Sequence, residues 1–412
     1  MTSKGKWVPE LMNKLPVQDG RVNDVLFIPN SDIIISCSED RWIRIYHENK
    51  NRYWITHQES IPSPVMRIIY AKEIDHIFAG LENGTISEFQ MTPDKNSLTH
   101  VHDYLAHFDK ITDICYSHDD KWIFSVSRDK VVSWFSTKSH VQVGSNILDY
   151  PITCLTYDSG SKYCFVGDII GNIHLLNIKK NPDDSCHCGI AKTLKGHTKA
   201  ISSLSWNKKN FKLISGGEDN IVIMWDIGGL KGSEFHLSFH SKPVSCVSWW
   251  NSGVPSQVVP TETRKEIDIV VSASSDGHLV FWLMSPEREP TIKWQDNDKC
   301  QLCSAPFFWN VKEMIQTRSV GINRQHHCRK CGMAVCDNCS PIFVKMPLIG
   351  NELPSRLCKN CHKEYNTNQI SLCNSVDTQK EIVRFYIDES KNRMLSVDRD
   401  KIIKVWNLKG TN

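Results

Sequence analysis

Eight cysteines near the C-terminal end fall into four CxxC pairs within 62 residues: Cys300/Cys303, Cys328/Cys331, Cys336/Cys339 and Cys358/Cys361. A CxxC turn lets two thiolates reach one tetrahedral zinc ion, so eight thiolates satisfy two ions with no ligand left over. No coordination position stays open for an activated water, and the pattern predicts two structural zinc ions rather than a catalytic one. The spacing also orders the ligands. Twenty-four residues separate the first and second pairs, but only four separate the second and third, too few to close two sites back to back. An interleaved cross-brace is expected, with Cys300, Cys303, Cys336 and Cys339 on one ion and Cys328, Cys331, Cys358 and Cys361 on the other.

Cationic and imidazole side chains stand directly beside these ligands, in Arg324-Gln325-His326-His327-Cys328-Arg329 and in Arg356-Leu357-Cys358. Guanidinium groups make paired hydrogen bonds to phosphate oxygens, and histidines add donors that strengthen on protonation, so the cluster is chemistry for a phosphate monoester. The segment resembles the FYVE zinc finger over residues 294–362, the HHCRxCG stretch being the most specific part. The resemblance implies binding of phosphatidylinositol 3-phosphate, with Arg324, His326, His327, Arg329 and Arg356 as head-group contacts. The paired histidines themselves predict affinity rising between about pH 7 and pH 6 if His326 or His327 contacts the phosphate as imidazolium.

The match departs from the family at two places. Gln325 stands where the family has a second basic residue, and after Trp294 the position of the family's aspartate is Asn297, with Asp296 and Asp298 on either side as candidate acceptors for inositol hydroxyls. The long gap after Cys303 ends in Val320-Gly321-Ile322-Asn323, which in the resembled fold is the turret loop that enters the membrane. Val320 and Ile322 are the expected insertion residues, each contributing at most roughly 1.5 to 3 kcal/mol on full burial. Phe307, Phe308 and Trp309 are expected in the core of the finger.

Outside the cysteine segment a pattern recurs at roughly 40 to 45 residues: an alternating apolar strand, a turn, a second strand ending in Ser or Gly, an acidic turn, and a third strand ending in an aromatic. Seven copies begin near Val22, Val65, Ile111, Ile152, Ile201, Val244 and Ile382. The clearest carries Gly196-His197, Ser215-Gly216-Gly217-Glu218-Asp219 and Met224-Trp225-Asp226, and resembles a WD repeat, one blade of a β-propeller. Other copies keep the acidic turn and an aromatic six residues on: Asp40 with Tyr46, Asp276 with Trp282, Asp400 with Trp406. The second has Asn83 in the turn, and the fourth has Ile170 there and is the most degenerate. His197, Ser215, Asp219 and Trp225 read as a buried structural tetrad, not a catalytic triad.

A single blade cannot bury both its faces, so neighbours must stack in a ring. Residues 1–21, alternating between Trp7 and Leu15, are expected to supply the outer strand of the last blade and close the ring. The seventh copy lies after the cysteine segment, so the zinc module is an insertion from blade six, with residues 285–290 and 365–378 as its linkers. The expected fold is all-β: a seven-bladed WD-repeat propeller (1–284), an inserted small two-zinc FYVE-type finger before the last blade (291–366), and the completion of blade six with blade seven (367–412).

Composition fits this reading. A hydrophobic content of 40% with 23% charged residues excludes a disordered chain, and no apolar run approaches the roughly 18 residues that span a bilayer. The start, MTSKGKWVPE, has no signal-peptide core, and half of the 16 cysteines belong to the zinc pattern, so a reducing cytosolic setting is expected. Residues 291–366 hold eleven Lys/Arg against six Asp/Glu, but eight thiolates and two zinc ions bring the segment close to neutral. Nucleic acid is therefore not an expected partner. Cys186-His187-Cys188 reads as part of a plain loop, and no phosphate-loop, kinase or paired-carboxylate motif points to an enzyme.

Nearly the entire chain is similar to the WD-repeat-and-FYVE-domain-containing proteins of early endosomes. That resemblance implies a non-enzymatic peripheral membrane adaptor, in the cytosol and on the cytosolic face of early endosomes, whose propeller recruits protein partners, signalling proteins among them. The rival is a RING-like ubiquitin ligase scaffold, which shares the cross-brace but has no need of the Arg324–Arg329 motif.

Overall fold

The second strand of each repeat is buried along nearly its whole length, as in Ile34–Ser38 and Trp122–Ser127, while outermost strands such as Arg52–Ser60 are largely exposed, the pattern of sheets packed face to face with one edge in solvent. The computed structural model describes residues 7–15, 19–180, 186–228, 234–250, 268–284, 288–310, 314, 323–366 and 369–409. Among these residues are seven four-stranded antiparallel sheets. Their innermost strands are Val22–Phe27, Val65–Ala71, Ile111–Ser117, Ile152–Asp158, Ile201–Asn207, Val244–Trp250 and Ile382–Asp388. Each packs on the next and the last on the first, closing a seven-bladed propeller. The core lies between blades: Ile35, Ile43 and Ile45 of blade one pack with Ile77 and Phe89 of blade two.

The N-terminal strand closes the ring. Glu10–Lys14 pairs antiparallel with Ile403–Asn407 as the outermost strand of blade seven. Leu15 N then donates to Ile403 O at 2.8 Å, and the Leu15 side chain packs with Val397 and Val405.

Every innermost strand shifts register just after its first residue. Asp24, Arg67, Asp113, Ser203, Cys246 and Arg384, each the third residue of its strand, line a central cavity of about 440 Å³. Three of them reach across to the following blade: Asp24 accepts from Ile68 N at 3.2 Å, Asp113 from Leu155 N at 3.1 Å, and Ser203 from Val247 N at 3.2 Å. The two carboxylates are balanced by Arg67, 3.4 Å from Asp113, and Arg384, 3.5 Å from Asp24. Unpaired, such buried charges would be strongly destabilising.

Five of the blades use one of two versions of a polar lock. In blade five His197 lies 3.0 Å from Asp219 through Nδ1 and 2.7 Å from Ser215 through Nε2, and Trp225 Nε1 donates to Ser215 at 2.9 Å. Blade six repeats this with His240, Asp276, Ser272 and Trp282, and blade three with His107, Asp129 and Ser125. These hydroxyls and imidazoles are satisfied inside the fold, so the tetrad is structural. In blades four and seven the carboxylate moves to the end of the second strand and meets a nitrogen-bearing side chain six residues later: Asp168 with His174 at 3.1 Å, Asp398 with Lys404 at 3.1 Å. The aspartate that carries the lock in blade seven is thus Asp398; Asp400, marked by its spacing to Trp406, is half-exposed and pairs with Lys380. Blade four is complete, and its outer strand Cys186–Lys195 contains the CHC sequence expected in a loop. The side chains of Cys186 and His187 lie outside the described residues.

The zinc segment sits between the third and fourth strands of blade six, since Cys373–Asp377 pairs with His278–Met284. The described residues of the stretches expected to act as linkers are pinned instead. Arg288 is buried and donates to Leu283 O at 2.8 Å, Pro347 O at 3.0 Å and Leu372 O at 3.1 Å, tying the exit strand, the finger and the return strand together. Buried Glu352 accepts from Leu372 N and Ser371 Oγ at 3.0 and 2.9 Å. The finger also extends the edge of blade five: Ser238 N donates to Gly350 O at 2.8 Å and Glu352 N to Ser238 O at 3.0 Å. Gly350 has φ +84°, and a side chain there would collide with His236 O, so only glycine allows this approach.

Candidate functional site

The cross-brace forms as its spacing requires. The four sulfurs of Cys300, Cys303, Cys336 and Cys339 lie within 4.8 Å of one another, as do those of Cys328, Cys331, Cys358 and Cys361. Four thiolates at the Zn–S distance of about 2.3 Å on a tetrahedron would stand about 3.8 Å apart. Cys303 and Cys336 are 3.7 Å apart and Cys331 and Cys358 4.0 Å. Burial acts to raise the Cys300 thiol, but N–H groups of Cys336, Cys303 and Leu302 outweigh it and bring it down to about 7. Cys331 is pushed up to about 11, by burial first and then by its thiol neighbours. Crowded sulfurs of this kind lose their mutual repulsion on binding a divalent cation, and all eight donors fit two structural zinc ions.

Around the second cluster the chain folds into two short hairpins. His326–His327 pairs with Ala334–Val335, and Ile342–Met346 with Asn351–Leu357. Between them lies a cleft of about 370 Å³ whose walls include Trp294, His326, His327, Arg329, Phe343 and Arg356. Trp294 stacks on the His327 ring at 4.7 Å and 7°, and the Arg329 guanidinium lies 4.5 Å from the Trp294 ring. On the opposite hairpin Arg356 lies 4.8 Å from the Phe343 ring. His327 Nε2 is buried without a hydrogen-bond partner.

One carboxylate already tests the electrostatics. Asp337 Oδ1 lies 2.9 Å from His326 Nε2 and 3.0 Å from Arg356 Nη1. Burial is the largest single influence and opposes its ionisation, but His326 and Arg356 together outweigh it, holding the carboxyl below the usual range. Arg356 Nη1 also donates to Ser340 O at 2.8 Å.

Four of the five residues expected at the head group, His326, His327, Arg329 and Arg356, thus converge on one cleft, while Arg324 is exposed and not among its lining residues. Gln325 lines the cleft and donates to Asn297 O at 3.4 Å, and neither Asp296 nor Asp298 reaches the lining. Asp298 instead accepts from Trp309 Nε1 at 3.4 Å. Val320 and Ile322 lie outside the described residues. The aromatic triplet is split, with Phe307 fully buried against the thiolate core and Phe308 and Trp309 50% and 43% exposed. The small interior is shared with Val335, Met346 and Leu357, and of the three rings only Phe307 enters it. Phe343 and its contact with Arg356 were not anticipated; the pairing depends on hairpin register, for which the sequence carries no local signal.

A propeller of WD type bearing a two-cluster cysteine finger with a basic, aromatic-walled cleft defines a class of scaffold with an anion-reading module. The model of the FYVE zinc finger matches residues 292–367, and that of the WD domain, G-beta repeat, matches 10–47, 98–136 and 189–226. WD repeat and FYVE domain-containing protein 1 of Mus musculus is 34% identical over 97% of this chain and 93% of its own length. The human WD repeat and FYVE domain-containing protein 2 is 33% identical over 97% and 96%, and its Caenorhabditis elegans counterpart is 29% identical over 99% and 94%. The chain belongs to the family of WD repeat and FYVE domain-containing proteins.

Proposed function

We propose that the protein is a non-enzymatic peripheral adaptor whose finger binds phosphatidylinositol 3-phosphate on the cytosolic face of early endosomes and whose propeller recruits protein partners. The observation that carries this reading is the cleft: two guanidinium groups on aromatic supports and an unpartnered imidazole nitrogen, beside a thiolate cluster that fixes their backbone. A phosphate monoester uses each of these donors, and the paired hydrogen bonds available to guanidinium suit its oxygens. No helix among the described residues is long and apolar enough to cross a membrane, so the attachment proposed is through the head group, aided by apolar residues of the segment before Asn323. The functional units are taken as 1–284, 291–366 and 367–412. The test is co-sedimentation of the full chain with vesicles carrying each phosphoinositide in turn, comparing wild type with Arg329→Ala after two zinc ions are confirmed in both. Selective pelleting with phosphatidylinositol 3-phosphate that the variant loses is expected; no pelleting of zinc-replete wild type refutes the reading.

A further inference from the structure

Phe343 is 54% exposed although it is a large aromatic on a strand. Packing therefore does not account for it. Its register does: Phe343 stands directly opposite Arg356 across the Ile342–Met346/Asn351–Leu357 hairpin. Side chains of an antiparallel pair at facing positions project to the same side, and here that side is the cleft, where the ring lies 4.8 Å from the guanidinium carbon. Arg356 Nη1 is committed to Ser340 O and Asp337, which leaves the Nη2 and Nε edges to face a ligand. A planar guanidinium stacked on a ring keeps one orientation instead of sampling many, and a donor fork that is already oriented loses less freedom on binding. Trp294 supports Arg329 in the same manner on the other wall.

We propose that Phe343 is a positioning residue of the anion site, its ring holding the Arg356 guanidinium in the plane from which it binds a phosphate monoester; this rests on the reading of the cleft given above. The residue acts through Arg356, not by touching the phosphate.

The experiment uses the full chain with phosphatidylcholine vesicles containing or lacking phosphatidylinositol 3-phosphate, and zinc content measured for every variant. Phe343→Leu, which keeps apolar bulk and removes the π face, is expected to weaken binding about two- to fivefold with two zinc ions retained, as a cation–π contact of this exposure implies. Phe343→Tyr restores it. In an Arg356→Lys background, which has no planar group to orient, Phe343→Leu has little further effect. An equal loss in both backgrounds, or no loss in either, overturns the proposal. Failure of wild type itself to pellet overturns the reading of the cleft instead, so the two failures are distinct. A measurement independent of variant folding is the ring-current shift of the Arg356 side-chain protons in wild type; it is expected to persist when soluble head group is added, and its disappearance on binding also overturns the proposal.

Discussion

Replacing Arg288 with methionine should unseat the finger from the propeller without unfolding either. The guanidinium makes hydrogen bonds of 2.8, 3.0 and 3.1 Å to carbonyls of blade six, the finger and the return strand. Hydrogen bonds from a charged donor are worth about 1.5 to 3 kcal/mol each, so three give a gross stabilisation of about 4 to 9 kcal/mol. Against this, burial lowers the guanidinium from its ordinary value to about 10, a desolvation cost of about 3 kcal/mol. Methionine recovers that cost and most of the packing but leaves the carbonyls short of donors, so a net loss of about 2 to 6 kcal/mol is expected. Hydrogen exchange reads it locally. The amides of Ser238, Glu289, Thr291 and Glu352 all donate across the seam and should exchange at least about 30-fold faster, if seam opening governs their exchange. Amides of blades two and three, remote from the seam, serve as the control. Unchanged exchange at the four seam amides would refute the assignment of Arg288 as the staple.

Three further outcomes are expected. Chelation of zinc should abolish vesicle binding and the finger's ordered structure while the propeller's thermal transition, followed by tryptophan fluorescence, persists, because the inter-blade cores do not involve the thiolates. Asp276 is buried, which alone would raise it, but its bond to His240 outweighs burial and holds the carboxyl far below the ordinary range. A depressed carboxylate contributes stability that is full above the unfolded value of about 3.9 and is lost as pH falls through the folded value. Asp276→Asn should thus cost about 1 to 3 kcal/mol at pH 7 in urea unfolding, with the gap to wild type narrowing below about pH 4. Deleting residues 1–15 should leave Ile403–Asn407 as an open edge and uncover Val397 and Val405, lowering the melting temperature and producing concentration-dependent association by size-exclusion chromatography.

What could be read from the sequence was what chemistry writes locally. Four identical thiol spacings dictate the cross-brace, because each CxxC turn is its own unit and only the order of pairing remains to be settled. His197, Ser215, Asp219 and Trp225 sit at fixed offsets in blade five, so that blade is legible by itself. Blades four and seven depart from the motif for a physical reason: the contacts Asp168–His174 and Asp398–Lys404 replace the His–Asp half of the tetrad from different positions. Notably, the three matched WD segments include neither pair. The channel charges were not legible, because Asp24 and Arg384 meet only when the ring closes and nothing near either residue marks the other. The stacked arginines are hidden in the same way, by hairpin register in one case and by the approach of Trp294 in the other.

The position of the finger within the chain has a mechanical consequence. A module on a terminal tail reorients freely, whereas this one leaves blade six after its third strand and returns as its fourth. Two tethers alone would still permit rocking. The Arg288 staple, the buried Glu352 and the bonds from Gly350 and Glu352 to the edge of blade five add contacts on a second blade, and rotation about the tethers would break them. A phosphate held in the cleft then fixes the direction of the propeller as well as of the finger. On the function proposed above, the same blade rims would be presented in every membrane-bound copy, and a partner docking there would pay no further orientational cost on the scaffold's side. Loosening the seam should accordingly leave affinity for short-chain head group in solution unchanged while weakening any partner whose binding needs membrane and propeller together, a separation that Arg288→Met is suited to expose.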